Sequence, residues 1–521
     1  MEICMNIKKF SEALTKIDDK YVDEAIQYKG KRKTLIPLKW SAAAACICLI
    51  IVGSVFYIKT NDAGTANDTG AGGIGHDESS EFMSYAGPVF PLTTLNTVQG
   101  VEADREICFD FSPYESDTQV IGDYGTNEAC SIVRDQYTLI NTTDQNMVIT
   151  AAYPYAANFH TTLHPQITVN GEKTETTLYS GLYSGGFKGT GTGNDATVNL
   201  DNILSWEGYK ALLENGSYIE SALAPFPTLN EIAAVYEFTD ITDGGCDAVN
   251  PTMEIAFTID KNKTTILSYG FDGAGYNPGT GEMTRSFSIP RVSDRYYDTV
   301  RYLIVLGEDI DQYALHGYLN GGCDPGDEIE GTSASIRRYE ISLGEILKTI
   351  VQAHYDACMA ANIDSKSRYI ADEITFDMYY GEVCRYFARY GTIGTEAMER
   401  YQLGMLEDII NETVYHDRIL YSVFQVTIPA GESAAVCAEL VKEGSFDYFC
   451  SDKNNEKLYG YDMVTKLGST LDFRSQSASL SNTDSIEIVR QNFGFDPANH
   501  ITSVKLDMAQ AHYYLEVRKR E

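Results

Sequence analysis

One stretch limits what this 521-residue chain can fold into more than any other. Residues 40–58 read WSAAAACICLIIVGSVFYI, uncharged throughout and set between Lys39 and Lys59. At about 1.5 Å of rise per residue, a helix of that length reaches roughly 28 Å, close to the ~30 Å hydrocarbon thickness of a bilayer. A lone segment in lipid must satisfy its own backbone polar groups, so a single transmembrane helix is expected here. A cleavable signal peptide competes, with AGTA at Ala63–Ala66 as its cleavage site, but 39 residues is long for the leading segment of such a peptide.

Orientation follows from the distribution of Lys and Arg near the ends of a span. Nine basic residues precede Trp40, from Lys8 to Lys39, whereas only Lys59 follows Ile58 before Arg105. Residues 1–39 are therefore expected in the cytoplasm and the large C-terminal part outside. Of the net charge of −34, the first 39 residues carry +3, which leaves −37 on the remainder. So acidic a body repels nucleic acid and favours cations or basic partners.

The flanks divide the chain further. Residues 1–39 form a basic segment with Ile7, Phe10, Leu14, Ile17, Val22 and Ala25 near helical spacing. It suits either the inner membrane surface, helped by the basic run Lys29–Lys33, or the groove of a cytoplasmic partner. Residues 59–81 are rich in Gly, Asn, Asp, Ser and Thr and cannot support a core, so they read as a flexible linker of about 25 Å reach.

Beyond the linker the pattern predicts a mainly β ectodomain with a helical subdomain. A β-sandwich-like region of the immunoglobulin-like kind is expected over 82–200, where Asn170-Gly171 gives a strong hairpin signal. A mixed, mainly β region follows over 201–340, partly helical near its start, with a hairpin expected from PTMEIAFTID to TTILSYG. Helical periodicity sets in over 341–412: Ser342 and Glu345 make a capping box, and Leu343, Ile346, Leu347, Ile350, Val351, His354, Ala357 and Cys358 share a face. Two more helices are expected in DEITFDMYYGEVCRYFARYG and TEAMERYQLGMLEDIIN. Strand-rich segments return over 413–521, as a second β-sandwich-like domain.

Chemistry-bearing motifs are scarce. There is no CxxC, HExxH, GxGxxG before a helix or phosphate-binding GxxxxGK[ST], and no catalytic, cofactor-binding or metal-binding set stands out. His160 and His164 lack a third ligand, and Asp496 with His512 lacks a nucleophile. The acidic stretches Asp240–Asp247, Gly307–Asp311 and Asp324–Gly331 do not match the twelve-residue calcium loop and read as solvated loops. Eight cysteines lie beyond the span; the similar loops DGGCDAVN and NGGCDPGD make Cys246 and Cys323 the first candidate disulfide. His354 on its apolar stripe reads as a core residue, and the aromatics Tyr379, Tyr380, Tyr386, Phe387 and Tyr390 as helix packing.

The segment KIDDKYVDEAIQYKGKRKTLIPLKWSAAAACICLII resembles the start of membrane-anchored, anti-sigma-factor-like proteins of Gram-positive anaerobes. The likeness covers about 55 residues and is one of layout: a short cytoplasmic helix, a basic stretch and a span ahead of an outer sensing domain. It implies an inner segment that holds a sigma factor or other signalling protein, and an outer part that meets an extracellular ligand. The zinc-binding version of such proteins is not matched, since residues 1–39 hold no histidine and only Cys4. YDMVTKLGSTLDF, RQNFGFDPAN and HYYLEVR resemble the C-terminal part of uncharacterised secreted or membrane-anchored proteins of the same bacteria. Three function classes stay open: a regulatory membrane protein, which the N-terminal layout favours, a surface protein that binds glycan or protein, and an extracellular hydrolase.

Overall fold

Alternating apolar and polar side chains carry most of the architecture. In the computed structural model, residues 86–96, 98–112, 130–160, 164–183, 210–211, 213–289, 300–364, 369–398, 401–446 and 457–520 are described. The expected transmembrane stretch, the basic segment before it and the linker at 59–81 lie outside them. No helix among the described residues is long and apolar enough to cross a membrane. The described part is mainly β, with a small helical portion.

Strand Val101–Asp110 buries Val101, Ala103, Arg105, Ile107 and Phe109 on one face, the period-2 pattern of a half-covered strand. It lies within a seven-stranded sheet ordered Ser503–Lys505, Asp472–Ser481, Val101–Asp110, Cys130–Asn141, Ser433–Glu443, Gln166–Val169, Glu172–Lys173. Val101–Asp110 runs parallel to Asp472–Ser481; the other neighbours are antiparallel. The hairpin expected at Asn170-Gly171 forms, with Val169 opposite Glu172 and both turn residues at positive φ, 52° and 83°. Two such residues in sequence are what the tight hairpin turn requires.

Two further sheets pack against this one. A bridging sheet runs Thr93–Thr94, Met147–Ala157, Arg418–Ile428, Thr177–Tyr183, and a C-terminal sheet runs Ser445–Phe446, Leu458–Val464, His512–Lys519, Ile486–Gln491. Ala103, Phe109, Val133, Tyr153, Val426, Met463 and Leu515 from all three share one core. The turn after Cys130–Asn141 crosses from the seven-stranded to the bridging sheet, and the turn after Arg418–Ile428 crosses back. Asn141 ties these two crossings together: its side-chain amide donates to the carbonyls of Gln145, Ile428 and Pro429 at 2.7, 3.1 and 3.1 Å. Strands from 82–200 and from 413–521 are thus hydrogen-bonded into the same sheets.

The middle of the chain builds a central sheet, ordered Thr264–Tyr269, Arg301–Gly307, Ile232–Thr242, Ser333–Ser342, and a five-stranded outer sheet, ordered Gly273–Tyr276, Glu282–Ser288, Thr252–Thr258, Tyr313–Tyr318, Glu328–Ile329. They pack face to face through Tyr236, Phe238, Leu303 and Val305 on one side and Met253, Ile255, Phe257 and Phe287 on the other. The hairpin expected from PTMEIAFTID to TTILSYG does not form. Thr252–Thr258 joins the outer sheet and Thr264–Tyr269 the central one, so the turn at Asp260–Lys263 is a corner between layers. Both strands carry apolar residues to one core from opposite sides, which a hairpin within a single sheet would not allow.

The other face of the central sheet is covered by helices. After a short helix α1, Ser217–Leu223, come α2, Leu343–Asp364, α3, Phe376–Tyr390, and α4, Leu406–Tyr415. The Ser342 hydroxyl accepts from the Glu345 amide at 3.3 Å, as the capping signal implied, while the Glu345 carboxylate accepts from that hydroxyl at 2.8 Å and not from the Ser342 amide. Leu343, Ile346, Leu347, Ile350 and Val351 are buried beside Val235, Leu267 and Ile304 of the central sheet. Within the third expected helix, α4 starts only at Leu406, after Gly404 at a φ of 75° lying close against the carbonyl of Ile266. A left-handed glycine ends one local run and lets the next begin against the sheet.

Candidate functional site

Just after the linker, residues 86–94 enter the interior at once. Val89, Phe90, Leu92, Thr93 and Thr94 are all at most 2 % exposed. Their backbone is held along its length by residues far away in sequence. Ala86 N–H donates to Ser445 Oγ at 2.9 Å and its carbonyl accepts from Lys442 Nζ at 2.5 Å. Val89 bonds both ways to Leu458–Val464, donating to Asp462 O at 2.8 Å and accepting from Val464 N at 3.1 Å. Leu92 N–H donates to the Tyr137 hydroxyl at 2.9 Å, the Leu92 carbonyl accepts from Ser469 Oγ at 2.6 Å, and Thr470 bridges Thr93 and Thr94.

Beneath this segment lies a buried ionic group. Arg105 makes a two-pronged bond to Asp135, with Nε and Nη2 each 2.8 Å from a carboxylate oxygen, and its remaining nitrogen donates to Val464 O at 2.8 Å. The hydroxyls of Tyr137 and Tyr153 donate to the same carboxylate at 2.6 and 3.2 Å. Burial opposes the Arg105 charge, but Asp135 beside it outweighs that and raises its pKa. Burial, together with Asp135, pushes both phenols far up, so they stay protonated and donate to that carboxylate.

Asp462 also receives His512 Nε2 at 2.8 Å, from the adjacent strand His512–Lys519. Burial pulls the Lys442 ammonium below its usual pKa, against the pull of Asp462, Glu443 and Asp417, and pushes the Glu443 carboxyl up to about 7. The entry segment is therefore gripped by two buried cations, Arg105 on Phe90 O and Lys442 on Ala86 O, and by the backbone of Leu458–Val464.

The opposite edge of the same C-terminal sheet carries a groove of about 960 Å³. Its wall is the edge strand Ile486–Gln491, with Phe495, Pro497, Tyr514 and Arg520 closing the sides. The ladder to His512–Lys519 slips between Ile488 and Arg490, a bulge that leaves Val489 37 % exposed beside the groove. Only two strands, His512–Lys519 and Leu458–Val464, separate this edge from the entry segment.

The residues singled out from the sequence fall elsewhere. Asp496 does not meet His512; it caps a short 3-10 turn, accepting from Asn499 N and Nδ2 at 3.2 and 2.6 Å. His160 Nδ1 is bonded to Tyr369 O at 3.1 Å and His164 Nδ1 to the Tyr155 hydroxyl at 2.6 Å, so the two histidines have separate partners. His354 is half-buried rather than in the core, bonded to the Tyr379 hydroxyl at 3.0 Å rather than to backbone, and desolvation takes its pKa down to about 4. Tyr379, Tyr386, Phe387 and Tyr390 are at most 2 % exposed and belong to the core.

Cys246 and Cys323 are free, half-buried thiols. Their loops leave the same end of the outer sheet, where Thr252 pairs with Tyr318, and the acidic stretches 240–247 and 324–331 meet there through Gly244 and Gly331. Among the described residues, no group of three His, Cys, Asp or Glu side chains is placed to hold a metal ion. Sequence reading did not single out Arg105, Asp135, Lys442 or Asp462. The one available signal was a charged residue at an inward position of an alternating strand, as in VEADREICFD.

No family model matches the chain, and no curated protein matches it. A solved structure from Legionella pneumophila, of a protein provisionally described as nutrient binding, aligns over 84 % of this chain and 72 % of its own at 7 % identity, with a TM-score of 0.26. A score that low establishes no common fold.

Proposed function

We propose that this chain is a single-pass membrane protein of the regulatory, anti-sigma-factor-like kind, with residues 1–39 in the cytoplasm, 40–58 in the membrane and a large sensing ectodomain outside. The ectodomain's paired sheets are read as sandwich modules of the immunoglobulin-like kind, and Cys246 and Cys323 as a disulfide in the oxidised protein. One observation carries the functional reading. Residues 86–94 are bonded through Val89 to the backbone of Leu458–Val464, and that strand is paired to His512–Lys519, which also supports the grooved edge. A ligand that reshapes that edge acts on a sheet to which the tether is fixed. The message then passes inward by altered association or by cleavage near the membrane, since a single helix offers few other routes.

Two measurements test this together. Protease added to intact cells should degrade the ectodomain and spare a tag placed at residue 1, and that tag should recover a sigma factor from the same cells. A protected ectodomain, or recovery of no transcription or signalling factor, overturns the proposal. The second reading, a surface protein that binds glycan or protein, draws on the groove alone. It replaces the first if the groove binds such a ligand while deletion of residues 1–39 changes nothing the cell reads out.

A further inference from the structure

The start of α4 docks on the central sheet through a polar joint. Ser268 N–H donates to Gly404 O at 2.8 Å, Ser268 Oγ lies 3.4 Å from Met405 Sδ, and Gly270 N–H donates to Glu407 Oε1. The other carboxyl oxygen of Glu407 is buried and has no hydrogen-bond partner among the described residues. Among the described residues, the charged groups that act on it include no cation. Tyr269 and Asp272 face it from the strand Thr264–Tyr269 and the turn after it, and Asp408 is next to it on α4; Cys358 of α2 and Tyr302 of Arg301–Gly307 in turn face Tyr269. The two nearby arginines are engaged elsewhere. Arg285 donates to Leu403 O and Ser268 Oγ, and Arg301 stacks its guanidinium 4.3 Å from the Phe287 ring.

A carboxylate that accepts from backbone amides alone, with two like charges nearby and no countercharge among the described residues, is a costly thing to bury. We propose that this joint is a proton-held latch: with Glu407 protonated the start of α4 stays docked on Gly270, and loss of that proton loosens the contact between the helical layer and the central sheet. Burial raises the Glu407 pKa to about 8, with Asp408 and Asp272 adding to it, against 4.5 for the carboxyl in an opened joint. The closed form therefore holds more protons than the open one between those values. Opening becomes easier as pH rises from about 4.5 to about 8 and levels off beyond. The latch does not depend on the signalling reading, and it would give an outer domain a response to pH within the range cells meet.

The test is hydrogen exchange of the full chain in lipid nanodiscs between pH 5 and pH 9, corrected for intrinsic exchange and followed in peptides spanning 266–271 and 404–415. In the wild type the local opening constant should rise by up to tenfold per pH unit up to about pH 8. Glu407→Gln, which keeps an oxygen for Gly270 but cannot ionise, should remove that slope. Asp408→Asn, which withdraws a like charge, should keep the slope but bring the levelling to lower pH. The same slope in wild type and Glu407→Gln overturns the latch. Should Glu407→Gln fail to fold, an unmoved levelling point in Asp408→Asn overturns it instead.

Discussion

Arg105 and Asp135 are both fully shielded from solvent, and everything that surrounds them is arranged to make that tolerable. Three groups donate to the Asp135 carboxylate, and the guanidinium spends its remaining hydrogens on backbone carbonyls of Phe90 and Val464. A buried pair of this kind adds little over an apolar replacement, but removing one member strands the other charge. Arg105→Ala should accordingly cost about 3–5 kcal/mol in urea unfolding of the purified chain. Arg105→Met combined with Asp135→Leu should recover much of that loss. A loss under 1 kcal/mol for Arg105→Ala would mean that the ionic group does not hold the entry segment. Arg418 with Glu382, 3.1 Å apart and equally shielded, repeats the arrangement between the bridging sheet and α3.

At the scale of elements, local signals were read well where a short stretch decides the outcome. The Asn170-Gly171 turn and the Ser342–Glu345 cap depend on residues two or three positions apart, and both formed as their chemistry requires. The Asp260–Lys263 turn shows where such signals stop. An Asp260 carboxylate that accepts from Asn262 N at 3.0 Å reverses the chain equally well within a sheet or between two sheets. Only the burial of Phe257 and Ile266 in a common core chooses between them. Loop pairing is an element-scale matter too. The loops that carry Cys246 and Cys323 leave one end of the outer sheet, and the proposed disulfide should leave the oxidised ectodomain, alkylated without reduction, two alkyl groups short of the mass with both thiols alkylated, and link the two peptides in a digest. Alkylation of both thiols without prior reduction would dismiss it.

For the molecule as a whole, the first strands after the linker and the last strands of the chain depend on one another. Val101–Asp110 is flanked by Asp472–Ser481, and residues 86–94 rest on Leu458–Val464. A chain ending at Lys505 loses His512–Lys519 from the middle of the C-terminal sheet and takes the partner of Asp462 with it. Such a truncation should expose residues 86–94 to protease cleavage at concentrations that leave the intact chain whole. Equal resistance in the two forms would show that the entry segment is held by the seven-stranded and bridging sheets alone.

By itself the sequence determined what neighbouring residues decide: a charge-free run flanked by unequal numbers of basic residues, a following stretch poor in apolar residues, many strands by their alternation, and the helices Leu343–Asp364 and Phe376–Tyr390 by their wider period. These are properties of neighbouring residues, and they survive whatever the rest of the chain does. Tertiary structure alone decided that strands some 370 residues apart lie side by side, as Ala103 does with Phe473. It likewise decided that an inward-facing arginine would meet an aspartate, and that the groove and residues 86–94 meet one sheet. Such outcomes depend on which apolar faces are buried together, a quantity that belongs to the folded whole and has no local signature.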